Sequence, residues 1–452
     1  MEEENTKMSK DKFTLVNHAS VLIESGKSSI LSDPWYFGSA FNNGWKLLFE
    51  NDEKQILDIL SRTKFIWISH EHPDHFSVPF FFKYKNYMIE NDIRILFQKT
   101  KDGRVKSFLE KQGLKVIDLE NEKDLILDDY FKIKCVKSGF YDSALVIETS
   151  ENRILNLNDC PLREDKDLIK WRKKLGEFDV LLSQFSYAAW KGGKDNVEWR
   201  KSAAIEKIKI LKDQANAFGA KIIIPFASFV KFCSKYNEYL NDSHNTPPKV
   251  IENFRPEGLD VSFPMVMQTY TLDELKRNKD GLEFWEQKFD APNLHIEGNL
   301  ESVEYSDLLA NNKIYQERIL KNNNAFLIKI LKFTSFLGAF KPVSIRLYDI
   351  GTVVKFEFFQ ELQELNKESA HDIEMHSNSL NFIFKNPFGF DTLTVNGCFE
   401  ENNKGAFFKM TKNFAVENLN NLGVPIGFST ILNFRFIEFF FTMIARVRNN
   451  IS

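Results

Sequence analysis

The run Ile66-Trp67-Ile68-Ser69-His70-Glu71-His72-Pro73-Asp74-His75 decides how the rest of this 452-residue chain is read. Apolar β-formers up to Ile68 predict a buried strand, and three imidazoles with two carboxylates follow within six residues. His70, His72, Asp74 and His75 then fall on the loop where the strand stops, a place where a sheet can hold metal ligands without burying them unpaired. In an extended segment residues i and i+2 project on one side. His70 and His72 can therefore grip one ion, while Asp74 and His75, in the turn beyond, reach a second ion beside it. The chain has only eight histidines and three of them stand here, which argues against a solvated loop that is His-rich by chance.

The spacing H-x-H-x-D-H resembles the motif of the metallo-β-lactamase superfamily, and the surrounding sequence is similar too. Strand-like Leu15-Val16 and Val21-Leu22-Ile23-Glu24 precede Ile30-Leu31-Ser32-Asp33-Pro34, which resembles the superfamily's early strand ending in an Asp. Arg153-Ile154-Leu155-Asn156-Leu157-Asn158 closes on Asp159, the place of the carboxylate that bridges the two ions. A closer resemblance, to the metallo-β-lactamase-like part of CMP-N-acetylneuraminate hydroxylases, lies in Asp33-Pro34-Trp35, Gly38-Ser39-Ala40-Phe41, Gly44-Trp45, Leu47-Leu48 and Glu50. It continues through Asp142-Ser143, Ile154-Leu155-Asn156, Asp159-Cys160 and Pro225-Phe226-Ala227. The lactonase branch (ascorbate-6-phosphate lactonase-like) looks similar, more distantly, around Asn17-His18-Ala19-Ser20.

The resemblance implies an α/β fold, a metallo-β-lactamase αββα sandwich of two sheets covered by helices with the metal loops at one edge. Periodicity alone says only mixed α/β. It also implies two transition-metal ions, iron or zinc with manganese as an alternative, held by His70, His72, Asp74, His75, Asp142 and Asp159. Asp74 or Asp159 would handle the proton, and His18 would act near the site as an orienting residue or substrate contact.

The chain departs from this pattern twice. A Rieske centre needs C-x-H and C-x-x-H pieces, and Cys135, Cys160, Cys233 and Cys398 have no such context; an oxygenase reading therefore calls for an external reductase. A full two-metal site of the superfamily uses five histidines, yet none stands between His75 and His244. Asp142, ahead of the strand Ala144-Leu145-Val146-Ile147, can supply an oxygen in place of imidazole. Cys233 and His244, after Lys221-Ile222-Ile223-Ile224-Pro225, are the other candidates. A set weighted toward carboxylate leans toward iron or manganese.

After the strand Phe178 to Leu182, the loop Ser183 to Lys194 is rich in hydroxyls, aromatics, glycine and lysine. In such a fold it overhangs the metals. Lys191 and Lys194, with Arg200 on the next helix, could meet a phosphate or carboxylate, and Trp190 could stack on a base or sugar. Solvated lysines are the plain alternative.

The 60 basic residues nearly balance the 63 acidic ones, so no electrostatic case arises for a nucleic acid polymer or an anionic membrane. Four unpatterned cysteines give no disulfide framework, and the start Met1-Glu2-Glu3-Glu4 is not a signal peptide; the expected compartment is the cytoplasm. The 44 Phe read as core.

Residues 1–10 read as a disordered start, 11–265 as a catalytic domain, 266–325 as a connector and 326–452 as a C-terminal α+β domain. Helices are expected over Asp52 to Leu60, Val78 to Met88 with Ser77 as cap, Arg104 to Lys111, and Val197 to Phe218 with Gly219 as stop. The last repeats apolar residues at Ile205, Ile208, Leu211, Ala215 and Phe218. In the C-terminal part, Ser344 to Tyr348, Val353 to Phe358 and Asp372 to His376 alternate like antiparallel strands, and the whole faintly resembles a sterol-carrier domain. His371 and His376 are not read as a second metal site. The apolar stretch 426–446 has bilayer length. However, Arg435 and Glu438 near its centre would cost several kcal/mol in lipid, so a packed amphipathic helix or interfacial membrane contact is expected rather than a span.

Three functions fit. One is a hydroxylase-like enzyme acting on a nucleotide-activated or surface sugar. Another is a metal-dependent hydrolase of a phosphodiester, ester or lactone, and the third is a non-catalytic metal or glycan binder.

Overall fold

The computed structural model describes residues 10–254, 259–276, 280–292, 300–333 and 340–428. The expected disordered start, through residue 9, and the tail from 429 onward lie outside the described residues. Among the described residues no helix is long and apolar enough to cross a membrane.

Two seven-stranded sheets form the centre. In the first, Lys12–Asn17, Ser20–Ser25 and Ser28–Ser32 make an antiparallel meander. The strands Phe65–Ile68, Arg94–Gln98 and Val116–Leu119 then add in parallel. Parallel neighbours need crossovers, and the helices Glu53–Arg62, Val78–Glu90 and Arg104–Lys111 supply them. The second sheet is antiparallel from Asp124–Asp128 to Arg153–Asn158 and parallel from there through Val180–Gln184 to Ile222–Phe226.

Alternation along each strand builds the layers. Phe13, Leu15, Val21, Ile23 and Trp67 point into one buried cluster with Ile133, Leu145 and Ile147 of the second sheet. The intervening Val16, Leu22, Leu31, Ile66 and Ile68 point the other way, onto Ile56, Phe80, Phe81 and Leu109 of the three helices. On the far side Leu168, Leu211, Phe218 and Phe254 cover the second sheet. The order is helix, sheet, sheet, helix, and each such side chain contributes about 1.5–3 kcal/mol by leaving water.

The long helix runs Val197–Phe218 and ends on Gly219 at φ 61, the left-handed conformation glycine adopts without strain. Ser77 caps Val78–Glu90, its side chain accepting from Phe80 N. Ile205, expected on the apolar face, is instead 69% exposed.

A separate five-stranded sheet holds Val343–Leu347, Thr352–Phe356 and Ile373–Met375 together with two short edge strands. The first pair is antiparallel as expected. Ile373–Met375, however, runs parallel to Val343–Leu347, because the intervening strand Gln363–Leu365 takes the hairpin position. Ser377–Lys385 and Gly389–Asn396 are helices.

The stretch expected as a connector is shared between the two halves. Trp285 stacks on Phe229 with ring centroids 3.7 Å apart, whereas Arg318 of Tyr305–Asn322 donates to Phe384 O at 3.0 Å. A single apolar cluster joins Trp35, Phe41, Trp45 and Trp190 to Ile345, Phe356, Phe399 and Phe414. Contact is close enough that a Cβ on Gly44 would lie 2.3 Å from Asn396 Cβ.

Candidate metal centre

The motif loop leaves the carboxyl end of Phe65–Ile68, where the crevice of a parallel sheet receives ligands. Asp33, at the end of the neighbouring strand, organises it. Its Oδ1 accepts from Ser69 N at 2.7 Å and its Oδ2 from Ser69 Oγ at 2.8 Å. Asn158 Nδ2 donates to the same oxygen, and His75 Nδ1 lies 3.1 Å from it. Because the Ser69 hydroxyl gives its one proton to Asp33, it can only accept from His70 Nδ1, 2.9 Å away. Both imidazoles are thereby held with Nε2 turned into the site, the orientation a metal-binding histidine requires.

These Nε2 atoms meet carboxylates. His75 Nε2 is 3.3 Å from Asp74 Oδ2 and 3.4 Å from Asp159 Oδ2. His18, in the turn between the first two strands, brings its Nε2 to 3.4 Å from Asp74 Oδ2. Two overlapping groups result, His18 with Asp74 and His75, and His70 with His75 and Asp159, each with its ligand atoms within 4.8 Å of one another. His70 Nε2 is also 2.9 Å from His72 Nδ1 and 3.8 Å from Asp142 Oδ1.

Asp33, Asn158 and Ala227 adopt φ of 37, 53 and 51, a region non-glycine residues seldom occupy and one that marks functional sites. Ala227 N donates to His18 O at 2.6 Å, tying that turn to the second sheet.

Burial drives His70 well below the ordinary histidine range, aided by the imidazoles of His75 and His72. Burial also opposes the charge on His75, but Asp74, Asp159 and Asp33 outweigh it and hold the ring well above that range. Burial pushes the Asp142 carboxyl up to about 7. His72 is raised to about 9, its burial overcome by Asp391.

Whether a metal fits can be judged from atoms left without partners. His18 Nδ1 and Nε2, Asp74 Oδ1 and His75 Nε2 are all buried and make no hydrogen bond. Such groups cost about 1–3 kcal/mol apiece, and a cation between them would satisfy several together. The mixed imidazole and carboxylate donors suit iron, zinc or manganese, so the residues present fit the expected ions.

The other expected site residues are placed as follows. Cys233 and His244, candidates for the missing ligand, stand apart from both groups. Cys233 Sγ meets Asn43 O at 3.4 Å, and His244 Nε2 meets Tyr187 O at 2.9 Å. Trp190 has no free face for a base, being 4% exposed with Phe399 and Phe407 at 4.9 and 4.5 Å. Lys194 is exposed. Arg200 is buried and spent on Asp242 and the loop carbonyls. Lys191 is half-buried and lines a cavity of about 230 Å³ with Asp159 and Lys207. His371 pairs with Glu374 at 2.7 Å, and among the described residues no metal-type cluster includes it or His376.

Sequence reasoning missed Ser69, Asn158, Lys207 and Asp391 and placed Asp33 only as a strand end. The signal for Ser69 and Asn158 was their position beside the motif and beside Asp159. Asp391 gave none, because its contact with His72 forms only in the folded chain.

No family model matches the chain. It is 27% identical over 266 residues to the cytidine monophosphate-N-acetylneuraminic acid hydroxylase of Danio rerio, covering 55% of this chain and 43% of that protein. To the inactive form of that hydroxylase from Homo sapiens it is 26% identical over 260 residues, covering 55% and 51%. Among solved structures, CmlA, a diiron β-hydroxylase from Streptomyces venezuelae, aligns at 13% identity and a TM-score of 0.41 over 58% of this chain and 54% of that one. The chain spans about half the length of the curated relatives it matches. Its paired sheets, flanking helices and H-x-H-x-D-H loop at their common edge are the arrangement that the resemblance to metallo-β-lactamase-fold enzymes implied, and about half of the chain is similar to CMP-N-acetylneuraminic acid hydroxylases.

Proposed function

We propose that this chain is a metal-dependent enzyme of the hydroxylase type, acting on a nucleotide-activated or surface sugar. The observation that carries the proposal is the convergence of His18, Asp74 and His75, with His70 and Asp159 sharing His75, around buried atoms that make no hydrogen bond. His18, His70, His72, Asp74, His75, Asp142 and Asp159 would hold two ions, iron in this reading. When bound, iron supplies the activation of dioxygen that hydroxylation needs.

The chain's own residues do the rest. Asp33 and Ser69 fix which nitrogen of His70 and His75 is presented. Asp159 stands in both the ligand cluster and the cavity, with Oδ2 toward His75 and Oδ1 accepting from Gln184 Nε2 at 3.3 Å. In this reading it moves a proton between the two, and Asp74, whose Oδ1 makes no hydrogen bond, is the other candidate. Electrons would come from a redox partner outside this sequence. The four cysteines are buried and free, which suits a reducing compartment, so we assign the reaction to the cytoplasm.

A second reading, hydrolysis of a phosphodiester, ester or lactone, is favoured by the same donor set, which suits zinc as well as iron. Metal content of protein purified without added metal, with a Mössbauer or optical spectrum, separates the two. About two irons per chain, followed by hydroxylation of a CMP-sugar with dioxygen and reductant, is the expected result. Zinc, with turnover of a phosphodiester or lactone, would replace it with the hydrolase. No metal even after reconstitution would sink both and leave a non-catalytic binder.

A further inference from the structure

We propose that the cavity beside Asp159 is an anion subsite, in which Lys191 and Lys207 hold a carboxylate or phosphate group of the substrate. The proposal rests on reading the adjoining ligands as a metal-dependent active site. The cavity, about 230 Å³, is walled by Asp159, Gln184, Lys191, Lys207 and Arg163 among others. That is less than the roughly 300–1,000 Å³ of pockets that enclose whole ligands, and it suits one charged group whose remainder extends past Asp159 to the metals.

The charges in this cavity are unbalanced. Lys207 Nζ donates to Gln184 Oε1, a neutral acceptor, and among the described residues it makes no ion pair. Lys191 makes neither a hydrogen bond nor an ion pair among them. Arg163, at the rim, is 4.0 Å from Glu206, whose side chain is 60% exposed. Asp159 is the one buried-side carboxylate, and it faces His75.

Burial lowers both ammonium groups, Lys207 to about 8 against the pull of Asp159, and Lys191 lowers Lys207 further, while Arg163 lowers Lys191 against Glu206. Two half-buried ammonium groups that make no ion pair among the described residues are costly. One oxyanion accepting from both would relieve the desolvation and the mutual repulsion together. Lys207 lies on the helix Val197–Phe218 and Lys191 on the loop before it, so two separate elements aim cations at one space.

The test is calorimetric titration of inorganic phosphate and of acetate into the metal-loaded full chain, and again after chelation, with metal content measured throughout. Wild type, Lys191→Met, Lys207→Met, Lys207→Arg and the surface control Lys209→Met are compared. One anion per chain is expected, with affinity at least about tenfold weaker in either Met variant and retained in Lys207→Arg and Lys209→Met. Preference for phosphate or for acetate names the group. Absence of binding to wild type, or equal affinity in wild type and both Met variants, overturns the subsite. Lysine-dependent anion binding in a chain that takes up no metal would keep the subsite while removing the metalloenzyme reading.

Discussion

His72 Nε2 and Asp391 Oδ2 face each other at 3.5 Å, joining the metal-motif loop to the helix Gly389–Asn396 from the far end of the chain. Beside them Phe388 packs edge-on to Tyr141 at 6.2 Å and lies 5.0 Å beneath the Arg104 guanidinium. Arg104 also reaches Glu71 of the motif at 3.3 Å. The C-terminal layer therefore touches the site itself and does more than cover an edge of the sandwich.

A carboxylate behind a ligating imidazole orients it and raises its basicity. Asp391→Asn should weaken metal binding about 10–100-fold, read by chelator competition, and should also lower the melting temperature of the metal-free protein at neutral pH, where Asp391 favours the protonated His72 ring. Equal metal affinity in the two proteins would reduce Asp391 to a neighbour of His72.

His18 should show opposite effects on stability and on metal binding. Nδ1 is buried and makes no hydrogen bond, and Nε2 faces only Asp74 Oδ2 at 3.4 Å, a carboxylate that keeps His75, so His18→Leu removes a desolvation cost of about 1–3 kcal/mol and should stabilise the metal-free chain. Metal stoichiometry should fall in the same variant. A destabilised apo protein with full metal content would contradict the placement of His18 among the ligands.

The parts of the fold legible in the sequence were those set by local pattern. The helix from Val197 to Phe218 was readable from apolar spacing and its glycine stop, and the cap at Ser77 from one hydroxyl before a proline-bearing turn. The cluster from His70 to His75 was readable because its ligands lie within one turn of chain. His18, Lys207 and Asp391 reach the site from other elements, so no spacing rule applies to them. Trp190 and His244 show the converse: their residue types suggested chemistry, but the interface with the C-terminal layer and the Tyr187 carbonyl already occupy them.

His244 gives a pH prediction. Burial lowers its pKa from 6.5 to about 4, against the hydrogen bond to Tyr187 O. Above pH 6.5 the ring is neutral in both folded and unfolded chains and adds no pH dependence. Between about pH 6.5 and 4 the unfolded chain takes up a proton that the folded one refuses, so stability falls with pH by up to about 3 kcal/mol. His244→Gln should flatten this part of the urea-unfolding profile and leave metal content unchanged. Loss of metal in that variant would restore His244 as a ligand.

Arg200 is the strut of the loop that carries Lys191. It is 0% exposed, and its guanidinium donates to both oxygens of Asp242, to Gly193 O at 2.6 Å and to Lys194 O at 2.9 Å. Lysine offers a point charge with no planar fork and cannot meet these acceptors together. Arg200→Lys should therefore cost about 2 kcal/mol, less than a fully buried pair because Asp242 is partly solvated. It should also speed amide hydrogen exchange across residues 190–195 and weaken phosphate binding through Lys191, with metal content held. The order of effects is the informative part, because the loop holds its lysine over the cavity only while its carbonyls are tied down. Faster exchange with unchanged phosphate affinity would show that Lys191 reaches the anion without that support, and unchanged exchange would show that Trp190, packed on Phe399 and Phe407, anchors the loop alone.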